Sequence, residues 1–298
     1  MKIGIIGAGA FGSALAVAYG QKGLEVALWA RGKPYVRDYP DTVLHTHDLA
    51  DLQGAEAILL VVPAQKTADF LKKNTPPTAP LVLCAKGIDA ATGKLQSEIA
   101  AQYSEAPVSI LTGPGFAGEI AAGLPTALTL AGGNAAQQAL LSTPRLRLYR
   151  TDDVVGAQAG GALKNVIALA CGMAIGAGLG ESARAALLTR GFAEMQRLGV
   201  ALGGKAETFQ GLSGLGDLAL TCASAQSRNF AQGLAFGQGS GQTGGTVEGL
   251  ATAKAAANLA AKLEVDAPIT AAVAAVISGK ATVETAMQSL LSRPLKEE

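Results

Sequence analysis

Lys164 is the only formal charge between Asp153 and Glu181. It sits in Gly160-Gly161-Ala162-Leu163-Lys164-Asn165-Val166-Ile167, a run otherwise built of small and apolar residues and one amide. On a helix, Gly160, Gly161 and Ala168 share its face at three- or four-residue spacing, so that face is stripped of bulk around one ammonium. A lysine in an apolar cleft loses solvation, and its pKa falls toward the range where it can give and take a proton. The same spacing also suits a lysine that snorkels out of a packed helix. Lys86 follows the apolar run Leu81–Ala85 and precedes Gly87. That places it at the carboxyl end of a strand, where open α/β sheets bind ligands, although a solvated strand-end lysine reads the same way. Gly113-Pro114-Gly115-Phe116-Ala117 follows the next strand at the same edge. Asp217 lies between apolar runs and needs a partner if buried, with Lys164 as a candidate. Arg228 beside Asn229 is a donor-rich pair suited to a phosphate.

A second chemical signature opens the chain. The strand Lys2–Ile6 runs into Gly7-Ala8-Gly9-Ala10-Phe11-Gly12, a GxGxxG turn followed by a helix. In that context Gly7 permits the tight turn, Gly9 lets the backbone touch a pyrophosphate, and Gly12 lets the helix pack on the strand. The helix N-terminus then offers free N–H groups and a partial positive charge. The second strand ends Leu28-Trp29-Ala30-Arg31-Gly32 without the carboxylate that usually bonds the ribose of NAD. Arg31 could instead pair with a 2′-phosphate, or could be a solvated surface arginine.

The elements that must carry these groups follow from the hydrophobic pattern. The predicted strands are Lys2–Ile6, Glu25–Trp29, Ala57–Val62, Pro80–Ala85, Pro107–Leu111, Thr126–Ala131 and Arg145–Tyr149. Helices are predicted at Ala10–Lys22, Gln65–Lys73 and Gly93–Gln102. Alternating helices and nearly all-apolar strands predict a parallel sheet covered on both faces. After about residue 151 the β-type runs stop. Ala-rich helices are predicted at Val154–Ile175, Ser182–Leu202, Val247–Leu263 and Ile269–Ser278, with the Gly-rich stretch Gly233–Gly245 as a loop. The expected division is a dinucleotide-binding domain over residues 1–151 and a helical substrate-binding domain over residues 152–298. No tail longer than Pro294–Glu298 is expected to be disordered.

The chain has 298 residues, enough for two domains without disulfide or metal staples. A net charge of +1 and no long basic cluster argue against nucleic acid or an anionic membrane surface as partner. The stretch Val154–Gly180 is apolar, but its central lysine and its glycines favour a buried helix over a membrane span. Cys84, Cys171 and Cys222 have no metal-ligand spacing and read as reduced packing residues of a reducing compartment. No signal-peptide core is present, so the expected location is cytoplasmic. His45 and His47 are the only histidines. With Asp48 they make a poor metal set, and a His-based triad is not expected. Trp29, Met173 and Met195 read as packing residues, and Glu181 with Arg184 as a solvated pair at a helix start. Charged residues are only 16% of the chain, and the long Ala-rich helices suggest buried contact between subunits.

The blocks GAGAFGSALA, LVLCAKGID, LTGPGFAGEIAAGLPTA, GGALKNVIALACGM, TRGFAEMQRLG, GLSGLGDLALTC, QSRNFAQGLAFGQG, VEG and APIT run in order over nearly the whole chain. Together they resemble the bacterial NAD(P)-dependent glycerol-3-phosphate dehydrogenases. GGALKN and the LSGLGDLALTC…SRN pair are far more specific than GxGxxG. The resemblance implies a Rossmann-type α/β domain followed by an all-α domain like the C-terminal domain of 6-phosphogluconate dehydrogenase. It implies a hydride-transferring oxidoreductase that interconverts sn-glycerol 3-phosphate and dihydroxyacetone phosphate, supplies glycerol 3-phosphate for phospholipid synthesis, and works as a homodimer. Lys164 corresponds to the family's general acid/base, with Asn165, Lys86 and Asp217 beside it in the substrate site. Thr221, Ser227, Arg228 and Asn229 match the substrate-phosphate region, and Gly113 and Gly115 match substrate-contacting backbone. Ala10, Phe11, Arg31, Lys86, Ala117, Arg228, Thr246 and Glu248 match positions that bind or border the dinucleotide, together with Gly7, Gly9 and Gly12. NADPH is the expected cofactor, with NAD also used. The chain departs from the family in its short Gly32–Asp41 segment, and in Ala10, Gly115 and Thr246, where Ser, Thr or Ser, and Val are common. The rival readings are a related 2-hydroxy-acid or ketopantoate-type reductase, which needs a carboxylate clamp, and a non-catalytic NADPH-binding regulator.

Overall fold

The computed structural model describes residues 1–36, 38–74, 78–241 and 243–294. Eight strands form one sheet: β1 (Lys2–Ile6), β2 (Glu25–Trp29), β3 (Val43–Thr46), β4 (Ala57–Leu60), β5 (Leu81–Leu83), β6 (Val108–Thr112), β7 (Thr126–Ala131) and β8 (Leu146–Thr151). Their spatial order is β3-β2-β1-β4-β5-β6-β7-β8. The chain winds outward from β1 in one direction and returns to build the other half from β4, so the crevice beyond the carboxyl ends of β1 and β4 is the switch point where such sheets bind ligands. Alternate strand residues feed opposite faces. Ile3, Ile5, Val26 and Leu28 pack in one buried cluster with Leu15 and Tyr19, while Ile6, Ala27, Ile58 and Leu60 pack in another with Leu71 and Ala100. Both faces are therefore covered, which is why the strands are apolar throughout.

The helices of the first half are α1 (Ala10–Gln21), α2 (Thr67–Lys73), α3 (Gln96–Ala100), α4 (Ala117–Ala121) and α5 (Ala135–Leu141). The second half is helical: α6 (Val154–Gly176), α7 (Gly180–Ala201), α8 (Ala206–Phe209), α9 (Asp217–Cys222), α10 (Arg228–Gly237), α11 (Glu248–Lys262), α12 (Pro268–Ile277) and α13 (Val283–Leu291). Helix α6 is the axis of this half, buried from Gly156 to Ala174. It has the length and apolar character of a membrane span, but 89% of its apolar window is buried inside the chain. Asp153 fixes its start. One carboxylate oxygen accepts from Gly156 N at 2.8 Å and the other from Lys205 N at 2.8 Å.

The fold corrects the sequence reading at several joints. The sheet is not wholly parallel, because β7 runs antiparallel to β6. The connection between them carries only the five-residue α4, which packs on α1 instead of crossing the sheet. The edge strand β3 has no apolar alternation to announce it. Gly233 was expected in a loop, yet Gly233 and Gly237 belong to α10. A β-carbon on Gly233 would lie 2.2 Å from Leu169 O, and one on Gly172 would lie 2.1 Å from Phe230 O. The glycines thus let α10 and α6 cross in backbone contact, a use of glycine that composition cannot tell from a loop. Gln242, in the rest of that stretch, and residues 295–298 of the expected tail lie outside the described residues, as does Arg37 in the short segment after β2.

Smaller readings resolve similarly. The three cysteines are buried and free, but Cys171 and Cys222 are neighbours, and a hydrogen bond between the two thiols together with burial pushes the Cys222 thiol up. Arg184 pairs with Glu181 and also donates to Cys222 O at 3.4 Å, so it closes the end of α9 instead of standing in solvent. Trp29 stacks edge-on with Phe70 and donates to His47 O, and Met173 and Met195 lie in the helical core. Asp48 accepts from Ala50 N at 2.9 Å.

Candidate active site

Lys164 projects from the middle of α6 and is 6% exposed. Its ammonium donates to Thr221 Oγ1 at 2.7 Å and lies 3.0 Å from Asp217 Oδ1. Lys86, just beyond β5, places its ammonium 2.6 Å from Asp217 Oδ2 and donates to Gly113 O at 2.8 Å. One buried carboxylate thus holds two ammonium groups, one on each oxygen, and Thr221 donates to the Lys164-facing oxygen at 3.1 Å. If both lysines are charged, the cluster carries one net positive charge, and an anionic substrate or a developing alkoxide is attracted to it. Burial pushes the Lys164 ammonium below the ordinary lysine value; Asp217 opposes that shift and Lys86 reinforces it. Burial alone would raise the Asp217 carboxyl, but the two lysines and their hydrogen bonds hold it below the ordinary carboxylate value.

The small residues around Lys164 do not leave a void. A β-carbon on Gly160 would stand 2.9 Å from Ser213 O, and one on Gly161 would stand 2.5 Å from Thr112 Oγ1 and 3.7 Å from Lys86 Cγ. These two glycines admit the π-helical turn Leu212–Gly216 that leads into Asp217, and the end of β6. Bulk is removed so that the π-helical turn, the end of β6 and the Lys86 side chain can pack against α6 beside Lys164. Lys164 therefore does not snorkel.

Asn165 is buried, donates to Lys86 O at 2.9 Å and accepts from Asn229 Nδ2 at 2.8 Å. Asn229 Oδ1 accepts from Gly249 N at 2.9 Å, which leaves one amide hydrogen of Asn229 for a ligand. Ser227 caps α10, its hydroxyl accepting from Phe230 N at 3.2 Å, and Arg228 is the exposed first residue of that helix. The pairing of Lys86 with Asp217, the amide chain from Asn165 to Gly249, and the bonding of Thr221 were not legible in the sequence. These bonds join residues more than 50 positions apart, except the helical step from Asp217 to Thr221 and the bond from Gly249 to Asn229.

At the switch point the glycine turn fits a dinucleotide. Gly7 has φ +114°, and a β-carbon there would meet Val61 O at 2.6 Å. A β-carbon on Gly12 would strike Gly7 O at 1.9 Å. At Gly9 it would meet nothing within 4 Å, and α1 has no side-chain cap, so its first N–H groups face open space. Ala10 and Phe11 begin α1, and Ala117 begins α4 where it packs beside Phe11. After β2 the chain returns to the same turn, with Tyr35 N donating to Ala8 O at 3.0 Å, and exposed Arg31 lies on that segment. Gly113 has φ +133°, which turns its carbonyl onto Lys86, and Gly115 is hemmed in by Thr126 and Ile120. Thr246 is exposed before α11, and Glu248, the first residue of α11, accepts from Ala64 N at 3.0 Å and Lys86 N at 3.3 Å.

A Rossmann-type sheet with this glycine turn, joined to a helical domain that contributes a buried lysine, defines a two-domain nicotinamide-dinucleotide oxidoreductase. Residues 2–138 match the NAD-dependent glycerol-3-phosphate dehydrogenase N-terminus and residues 153–288 the corresponding C-terminus. The chain is 54% identical to the glycerol-3-phosphate dehydrogenase [NAD(P)+] of Cereibacter sphaeroides over 99% of this chain and 100% of the relative. It is 52% identical to the enzyme of the same name from Paracoccus denitrificans, over 100% of both. The crystal structure of glycerol-3-phosphate dehydrogenase from Coxiella burnetii superposes with a TM-score of 0.90 at 35% identity, covering 98% of this chain and 99% of that one. The chain belongs to the NAD-dependent glycerol-3-phosphate dehydrogenase family.

Proposed function

We propose that the chain interconverts sn-glycerol 3-phosphate and dihydroxyacetone phosphate, with Lys164 as the group that moves the proton. The observation that carries this reading is the buried Lys164–Asp217–Lys86 cluster at the sheet's carboxyl edge. The nicotinamide, when bound, supplies or accepts the hydride at its ring carbon 4. In reduction, protonated Lys164 gives its proton to the oxygen on carbon 2 of the substrate; in oxidation, neutral Lys164 takes it back. Lys86 adds a second positive charge near that oxygen, and Asp217 orients both ammonium groups. Arg228 and the remaining amide hydrogen of Asn229 grip the substrate phosphate, assisted by the free N–H groups that open α10. That remote grip fixes the reacting carbon. The glycine turn and the start of α1 hold the pyrophosphate. An absorbance assay at the nicotinamide band with dihydroxyacetone phosphate tests the activity, and no turnover with either cofactor would reject it.

The two directions respond to pH with opposite sign. Oxidation needs neutral Lys164, so its rate rises with pH through the lowered pKa and then levels; reduction falls over the same range. Asp217 holds that pKa up. Asp217→Asn therefore moves the rising limb of the oxidation profile to lower pH, and a limb that stays in place would remove Lys164 from the titration.

NADPH is the preferred cofactor in this reading, with NADH also used, because Arg31 follows β2 and no Asp or Glu stands at that strand end. A charge-assisted bond to the 2′-phosphate corresponds to about tenfold to a hundredfold in the ratio of specificity constants. Arg31→Ala should erase most of that ratio and leave NADH kinetics nearly unchanged. Steady-state kinetics with both cofactors decide it; a wild-type preference for NADH would overturn the assignment. The enzyme works in the cytoplasm as a homodimer and supplies glycerol 3-phosphate to phospholipid synthesis. Light scattering at low micromolar concentration should give twice the chain mass, and a monomer alone would reject the dimer.

A further inference from the structure

We propose that Glu248, besides bordering the dinucleotide site, is a positioning residue for Lys86, acting through the backbone of Lys86. Both backbone polar groups of Lys86 are held by the helical domain. Its N–H donates to Glu248 Oε2 at 3.3 Å and its carbonyl accepts from Asn165 Nδ2 at 2.9 Å. Asn165 in turn accepts from Asn229, and Asn229 accepts from Gly249 N. Gly249 is covalently next to Glu248, so the chain of bonds closes into a ring with Lys86 at one side and the start of α11 at the other. The second oxygen of Glu248 takes Ala64 N at 3.0 Å. One carboxylate therefore ties the segments that follow β4 and β5 to the helical domain.

The neighbourhood gives this ring little slack. A β-carbon on Gly87 would lie 2.7 Å from Ala64 Cβ and 3.3 Å from Thr252 Oγ1, and Thr252 sits one turn after Glu248 on α11. A shift of α11 is thus passed to the Lys86–Gly87 segment. Both Glu248 oxygens already accept backbone N–H groups, so the side chain is oriented by the protein before any ligand arrives. Its effect on the reaction runs through the place at which Lys86 presents its ammonium to Asp217 and the substrate. This inference rests on the proposed role of Lys86 in the substrate site.

The test is a double-mutant cycle on the full-length enzyme, read with two measurements. Glu248→Gln keeps the shape but puts an NH2 group against one of two N–H donors. It should lower kcat/KM for dihydroxyacetone phosphate by about tenfold, the lower range for one charge-assisted bond. NADPH affinity is measured separately by fluorescence titration without substrate, and kcat/KM is read at saturating NADPH, so that any loss at the dinucleotide is kept apart from the loss at Lys86. In a Lys86→Ala background the same substitution should change kcat/KM by less than about twofold, because residues acting through one another do not add. Losses that multiply in the double variant would overturn the proposal. If Glu248→Gln yields no folded protein, Glu248→Asp, which keeps the charge but can reach only one donor, is put through the same cycle and judged by the same outcomes. Absence of wild-type turnover with dihydroxyacetone phosphate would instead sink the functional reading, whatever Glu248 does to NADPH affinity.

Discussion

Lys164→Ala is expected to cut turnover of dihydroxyacetone phosphate by about 10²–10⁴-fold, the range that a positioned proton donor contributes. The geometry makes this a test of chemistry and not of folding. When the Lys164 ammonium is removed, Asp217 keeps Lys86 at 2.6 Å and the Thr221 hydroxyl at 3.1 Å. The buried carboxylate is not left without a counter-charge, which is the circumstance that makes breaking a buried ion pair so destabilising. NADPH binding should persist, because the glycine turn and the start of α1 are untouched. Single-turnover absorbance at the nicotinamide band, with NADPH affinity measured separately, separates the two quantities. Turnover within a few-fold of wild type would remove Lys164 from the proton transfer.

Arg228→Ala should lower kcat/KM for dihydroxyacetone phosphate by about 10²–10³-fold, as removal of one partner from a desolvated charge pair does. The loss should appear in the Michaelis constant and in turnover, since the phosphate grip also fixes the reacting carbon. The Arg228 side chain is exposed and makes no hydrogen bond or ion pair with the described residues, so its removal leaves the fold intact. It opens α10 next to the Ser227 cap, where the helix N-terminus already favours an anion. Unphosphorylated dihydroxyacetone supplies the control. Lacking the phosphate, it is expected to be a poor substrate of the wild type and to lose far less in the variant. Equal proportional losses for the two substrates would show that Arg228 does not read the phosphate.

The legible parts of the site were those written in neighbouring residues. Gly7, Gly9 and Gly12 could be read because a strand, a turn and the start of a helix follow one another within a dozen positions, although only Gly12 meets its tight contact, Gly7 O, inside that unit. Lys164 stood out because it is one charge in a long apolar helix, and a carboxylate partner for it could be anticipated from burial alone. The identity of Asp217 as a shared partner of two lysines could not, because Lys86 and Asp217 lie 131 positions apart on different domains. The same holds for Asn229. Its side chain reads as a phosphate donor in sequence, while in the fold its carbonyl oxygen and one amide hydrogen serve α11 and Asn165.

Periodicity and composition determined the alternating α/β first half, the helical second half and most element positions, because apolar spacing sets which face of a strand or helix is buried. Most bounds differ by a few residues, as at Leu81–Leu83 within the expected Pro80–Ala85 and Gln96–Ala100 within the expected Gly93–Gln102. Tertiary structure alone decided the direction of β7, since a strand's own pattern does not say which way its neighbour runs. It also decided that Gly233 belongs in a helix, because the reason for that glycine is the backbone of α6 lying against it. And it decided the site's electrostatics. A side chain's type sets the charge it can carry, but the desolvation of Lys164 and the two ammonium groups on Asp217 exist only once β5, α6 and α9 are packed together.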